Sequence, residues 1–239
     1  MTQTYFDLPE KINEQLLTRA KKLSPALLCD GMQKLGIAKN GAMDASLMPI
    51  DEQKIMVGTA CTVDTEDGDN FPIHVAIYQG KPDYVMIVAG KNSMERAYLG
   101  DLLAGAADAV GLSGIVVDGC VRDKLGLKEL AIPVYSKGIM QRSPVKKGPG
   151  KINVPVFCAG VSVNPGDLVV GDADGVTVVP RNVVEKVIEL AEEKLFYELQ
   201  RATLINDYKQ ARENGTELPE LAPSWVIDML DKQSYSTES

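Results

Sequence analysis

Gly114-Ile115-Val116-Val117-Asp118-Gly119-Cys120-Val121-Arg122-Asp123 is the stretch on which the reading of this chain turns. Residues 115–117 are apolar and β-branched, the pattern of a strand covered on both faces. Asp118-Gly119 is a turn signal, so the strand is expected to end there in a polar turn. The turn then presents a guanidinium and a carboxylate side by side, at Arg122 and Asp123. In open α/β sheets, chemistry gathers beyond the carboxyl ends of strands. An Arg can clamp a carboxylate through two hydrogen bonds, and an adjacent Asp can hold a divalent cation. Together they form a minimal kit for chemistry on a small oxo-acid. The same residues also read as a structural turn with a surface ion pair, which is worth little.

The neighbouring segments build a frame around this stretch. Residues 84–88 are a second buried strand, and 96–110, rich in Ala and Leu, read as a helix packed closely on a sheet. With 114–117 they make a βαβ unit with a parallel strand pair. Upstream, residues 7–35 are expected to be helical in two pieces, the second opened by Ser24-Pro25 and stopped by Gly36. Residues 37–53 read as a loop, 54–65 as a strand and 72–79 as a short helix. Downstream come a short helix at 124–130, a strand at 134–137, and an exposed loop at 142–154 carrying Arg142, Lys146, Lys147 and Lys151. Strands at 154–159, 168–171 and 176–179 follow, the last two joined at Asp172-Ala173-Asp174-Gly175, which suits a hairpin better than a calcium loop. A long amphipathic helix is expected from Val183 to about Gln210, and then a polar tail.

Composition narrows the function. The 239 residues are 45% hydrophobic and 24% charged, ordinary for a globular chain with a sizeable core. A net charge of −8 argues against indiscriminate nucleic-acid binding. Cys29, Cys61, Cys120 and Cys158 show no CxxC spacing, and the last three sit in or beside apolar runs where a buried thiol is expected. A single histidine, His74, argues against a His-rich zinc site and a Ser-His-Asp triad; on a short apolar helix it reads as structural. Any metal is expected to be a hard cation on oxygen ligands, Mg2+ or Mn2+. Residues 1–11 lack a signal-peptide pattern, and no apolar run approaches a membrane span, so a cytoplasmic chain is expected.

A third polar feature is Gly100-Asp101-Leu102-Leu103. If the helix starts near Gly100 rather than Arg96, its free N–H groups make an anion site; otherwise Gly100 only permits close packing. At these four residues together with 118–123 the chain resembles the RraA-like family. That family contains class II pyruvate aldolases acting on 4-hydroxy-4-methyl-2-oxoglutarate and 4-carboxy-4-hydroxy-2-oxoadipate, and also regulators of ribonuclease E activity. Supporting segments occur in order: GTACTV at 58–63, GDLLAGAADAVGLSGIVVDGCVRD at 100–123, IPVYSKG at 132–138 and VPVFCAGVSVNPGDLVVGDADGVTVVP at 154–180.

The resemblance implies an α/β fold, a swivelling β/β/α-type sandwich, as one domain over 1–239. Its core would span about 20–182, with N-terminal helices and a C-terminal helical extension at about 183–232. It implies a homotrimer or a dimer of trimers, with sites between subunits. By the same resemblance, the amides of Gly100, Asp101, Leu102 and Leu103 bind substrate oxygens, Arg122 binds substrate and activates a water, and Asp123 ligates Mg2+ or Mn2+. Asp101 positions the acid–base water, and Glu198 reaches a neighbour's site from the long helix, with Glu192 and Glu193 as rivals. The implied reaction is retro-aldol cleavage of a 4-hydroxy-2-oxo acid to pyruvate and a second oxo-acid, with oxaloacetate decarboxylation on the side. Two stretches, 66–74 and 89–95, depart from the family pattern and are expected to line or border the pocket. The alternative is a regulator that binds and inhibits a ribonuclease or RNA helicase. No direct contact with nucleic acid or membrane is expected.

Overall fold

A computed structural model of the chain describes residues 4–37 and 41–235. They fall into two compact units, Met1–Glu192 and Glu193–Ser239, each described by itself. Residues 38–40 of the expected 37–53 loop lie outside the described residues.

The first unit opens with α1 (Glu14–Ala20) and α2 (Pro25–Lys34). Ser24 caps α2 as its spacing predicts: its hydroxyl accepts the Leu27 N–H at 3.3 Å, and Pro25 takes the first turn. The strands and helices that follow are β1 (Met48–Pro49), β2 (Met56–Asp64), α3 (Phe71–Gln79), β3 (Tyr84–Ala97), α4 (Asp101–Ala109), β4 (Gly114–Val121), α5 (Lys124–Glu129), β5 (Val134–Ile139), β6 (Lys151–Ile152), β7 (Val156–Cys158), β8 (Val161–Val163), β9 (Leu168–Asp172) and β10 (Gly175–Val179). The main sheet runs β1-β5-β4-β3-β2-β9-β10, with β6 beside β2. Strands β2 to β5 pair in parallel, while β9 and β10 form the expected antiparallel hairpin on the β2 side. β7 and β8 make a separate hairpin.

The sheet is buried on both faces, which explains the continuous apolar runs. Ile115 and Val117 of β4 join the cluster under α3 and α4, with Ile73, Ile77, Leu103 and Ala107. Val116 points the other way, into a cluster with Val156, Cys158 and Val161 of the small hairpin. Each fully buried Val or Ile side chain contributes about 1.5–3 kcal/mol.

Three expectations are corrected here. β4 does not stop at Asp118-Gly119 but runs on to Val121. Gly119 is needed as a flat spot, because a Cβ there would lie 2.6 Å from the Tyr98 ring, and the charge of Asp118 is met within the fold. The strand at 84–88 continues to Ala97, and no helix begins at Arg96. Lys91 and Asn92 turn left-handed (φ 54° and 60°), and the strand rejoins β4 at Ser93 and Ala97 with shifted register. The polar tail contains a further helix. In the second unit, α6 (Val184–Asn214) runs on beyond Glu192 and α7 (Ser224–Tyr235) follows it. There the Arg201 guanidinium donates to Leu221 O at 2.8 Å. Among the described residues no helix is long and apolar enough to cross a membrane.

Candidate active site

Because β3 runs to Ala97, α4 starts at Asp101 with Gly100 as its N-cap. The N–H groups of Gly100, Asp101, Leu102 and Leu103 therefore have no intrahelical acceptor, and Ala104 N–H is the first to close, onto Gly100 O at 3.0 Å. The Asp101 carboxylate accepts the Leu102 N–H at 2.7 Å and packs where a Cβ on Gly126 of α5 would sit. Gly100 lies against the Asp123 carboxylate: a Cβ at Gly100 would meet Asp123 Oδ2 at 2.1 Å and Arg122 Cγ at 3.0 Å. Any larger residue at position 100 would push the two functional groups away from the helix start.

Arg122 and Asp123 follow directly on β4. Arg122 N–H donates to Leu99 O at 3.0 Å, tying the end of β4 to the α4 entry. The Arg122 guanidinium donates to Ser143 Oγ at 2.9 Å. Its Nε lies 3.3 Å from Asp123 Oδ2 but makes no hydrogen bond, although that atom is buried. Asp123 is left-handed (φ 59°, ψ 45°), a conformation a non-glycine residue holds at a cost and one that clusters at functional sites.

All four residues of the 100–103 segment, with Arg122 and Asp123, line one cavity of about 380 Å3. The structure thus brings together every expected site residue except Glu198. That residue belongs to the second unit, where its Oε1 lies 3.9 Å from Lys194 Nζ. Asn70, His74, Tyr78, Ser143 and Lys146 share the cavity. His74, read from sequence as structural, is thus a site-lining residue. Asn70 and His74 are one helical turn apart, a signal the sequence carried. Burial, and then the nearby Lys146 charge, hold the His74 imidazole below its ordinary value. Both effects favour the neutral imidazole. Of the two departing stretches, Asn70 and His74 of the first line this cavity, but Ala89, Lys91 and Asn92 of the second line another.

Asp123 offers a hard oxygen donor to the cavity. Among the described residues no group of three or more His, Cys, Asp or Glu could hold a metal. A single carboxylate in an open cavity nonetheless fits Mg2+ or Mn2+, which keep several waters.

A family model described as RraA-like: Aldolase/RraA matches residues 25–178. A protein from Halalkalibacterium halodurans is 39% identical over 165 residues, covering 69% of this chain and 79% of its own length; its name, 4-hydroxy-4-methyl-2-oxoglutarate aldolase, is a provisional assignment. Streptomyces coelicolor RraAS2, titled an unusual member of the RNase ES inhibitor RraA protein family, superposes with a TM-score of 0.72 at 27% identity, over 80% of this chain and 98% of its own. A Geobacillus kaustophilus structure titled as an S-adenosylmethionine: 2-dimethylmenaquinone methyltransferase gives a TM-score of 0.61 at 31% identity, over 68% of this chain and 98% of its own. With the matched region spanning most of the sheet and all of the Gly100–Asp123 cavity wall, the chain belongs to the RraA-like, Aldolase/RraA, family.

Proposed function

We propose that this protein is a divalent-metal-dependent lyase that cleaves a 4-hydroxy-2-oxo acid by retro-aldol reaction to pyruvate and a second oxo-acid. The observation that carries the reading is the close approach of Gly100 to Arg122 and Asp123, which sets the start of α4, a guanidinium and a carboxylate around one cavity. The aldolase name of the Halalkalibacterium relative supports it.

In this reading Arg122 binds the substrate carboxylate, and the amides at the start of α4 receive its carboxyl and keto oxygens. Asp123 is the residue that would hold Mg2+ or Mn2+, and a bound ion supplies Lewis acidity. Asp101 holds a water that takes the C4-hydroxyl proton. As the C3–C4 bond breaks, its electron pair stays with the pyruvate half, where Arg122 and the amides stabilise the developing charge. The water returns a proton to the pyruvate methyl. Oxaloacetate decarboxylation places the same charge on the same atoms and is the expected side activity.

The reading extends to a single family domain with a helical extension, in a cytoplasmic homotrimer or dimer of trimers. Glu198 of a neighbouring copy then completes the site. A second reading, a protein that binds and inhibits a ribonuclease or helicase, is favoured by the likeness to RraAS2.

The test is pyruvate release from 4-hydroxy-4-methyl-2-oxoglutarate and from oxaloacetate, with Mg2+ or Mn2+ and then with EDTA. Metal-dependent release, faster on the aldol substrate, is expected. No turnover of either substrate by a correctly assembled protein would favour the inhibitor.

A further inference from the structure

Arg122 and Lys146 both line the cavity at the start of α4, and the lyase reading uses only the first. The Arg122 guanidinium is already engaged, donating to Ser143 Oγ at 2.9 Å with its Nε 3.3 Å from Asp123 Oδ2. Lys146, exposed at the rim, is not. Among the described residues its ammonium has no hydrogen-bond acceptor and no carboxylate within ion-pair distance. It nonetheless lies near enough for its charge to act on the His74 imidazole in the same cavity.

The loop that carries Lys146 is fastened to the start of α3. Asp69 is 4% exposed and turns both carboxylate oxygens to backbone donors. Its Oδ1 accepts the Phe71 N–H at 2.8 Å, and its Oδ2 accepts the Lys147 N–H at 2.9 Å and the Gly148 N–H at 2.7 Å. Taking a carboxylate out of water is costly, and three N–H groups offset it here. Val145 N–H donates to Gly68 O at 2.8 Å, and Val145 O accepts the Asn70 N–H at 3.1 Å. These bonds bracket Lys146 on both sides. Its backbone is fixed beside the cavity while its ammonium stays uncommitted.

In the lyase reading both products are oxo-acids, so the substrate carries a carboxylate on each side of the bond that breaks. Arg122 and the amides at the start of α4 take the pyruvate end. The far carboxylate needs a cation in the same cavity, and Lys146 stands there without a partner among the described residues. We propose that Lys146 is a specificity-determining residue that pairs with this second carboxylate, so that the site selects dicarboxylates over monocarboxylates. The inference rests on the lyase reading for the two-ended substrate, but binding alone tests it.

The test is calorimetric titration of the full chain, in Mg2+ buffer, with 2-oxoglutarate and with the monoanion 2-oxobutanoate. 2-Oxoglutarate has both carboxylates but no C4 hydroxyl, so it is not cleaved. It is expected to bind more tightly than 2-oxobutanoate. Lys146→Met is expected to weaken 2-oxoglutarate about tenfold and to leave 2-oxobutanoate within about twofold. Lys146→Arg keeps the charge and is expected to keep the preference. Lys151→Met removes the same charge outside this cavity and is expected to change neither. The proposal is overturned if the wild type binds neither ligand or both alike, if Lys146→Met binds 2-oxoglutarate as the wild type does or weakens both ligands equally, or if Lys151→Met weakens 2-oxoglutarate as much. Pyruvate release from 4-hydroxy-4-methyl-2-oxoglutarate separates the two readings. Lys146-dependent selectivity without turnover keeps the dicarboxylate site and removes the lyase, whereas turnover with an indifferent Lys146 does the reverse.

Discussion

Two aspartate–cation pairs arise from one strand and have opposite fates. Asp118, inside β4, faces Lys137 with both side chains 6% exposed. Arg122 and Asp123, just past the end of β4, are 36% and 42% exposed. The chemistry of the groups is similar, and their surroundings differ. A buried pair is costly to break, since removing one partner leaves a desolvated charge. An exposed pair contributes little to stability and is free to exchange its partner for a substrate or an ion. For Lys137, burial works against the charge, but the Asp118 and Asp44 carboxylates outweigh it and hold the ammonium above its ordinary value. Lys137 is thus a fixed cation rather than an amine ready to attack a carbonyl, which fits a lyase reading that needs no Schiff base.

This contrast can be broken by experiment. The largest effect is expected from Asp118→Ala, which should cost about 3–5 kcal/mol in urea unfolding, with much of the loss recovered when Lys137→Met is added. A loss below about 1 kcal/mol would put Asp118 in the same class as the exposed pair. Arg122→Ala should show the reverse pattern. Pyruvate release falls on the order of 10²–10³-fold, while stability stays within about 0.5 kcal/mol.

Gly100→Ala sharpens the comparison, because its Cβ would land on the Asp123 carboxylate. Turnover is expected to fall on the order of 10–10²-fold, as for a displacement of about 1 Å at a reacting centre. Unchanged turnover would show that Asp123 need not sit against the helix start.

The smallest effect belongs to a third pair, Arg19 and Glu192, 2.7 Å apart with a third or more of each side chain exposed. The hydrogen bond from Arg19 holds the Glu192 carboxyl below its usual range. A depressed carboxylate stabilises the fold above its unfolded value and loses that contribution as pH falls through its folded value. Glu192→Gln should therefore cost at most about 1 kcal/mol at pH 7 and nothing once the pH is below the folded value. Chemical denaturation across that pH range checks it.

Much of the fold was legible because its signals are local. The β-branched runs at 56–64 and 114–117, the Ser24-Pro25 cap and the 172–175 turn each announce an element through nearest neighbours. The errors came where a distant group overrode a local preference. Asp118-Gly119 has turn chemistry, but the Tyr98 ring on Gly119 and Lys137 on Asp118 keep it inside a strand. Residues 91–96 lack a strand pattern, yet pairing with β4 carries them to Ala97. The short β8 and the helix α7 carried too weak a periodicity to stand out.

By itself, the sequence determined the parallel βαβ unit, the adjacency of Arg122 and Asp123 and the family, because each is written in contiguous residues. Tertiary structure decided that α4 begins at Asp101 with Gly100 as its cap, that His74 shares the cavity with Arg122, and that Asp118 is buried with Lys137 instead of turning toward solvent. Each of these depends on groups far apart in the chain meeting at van der Waals or hydrogen-bond distance, and nothing in a local pattern encodes which of them will meet.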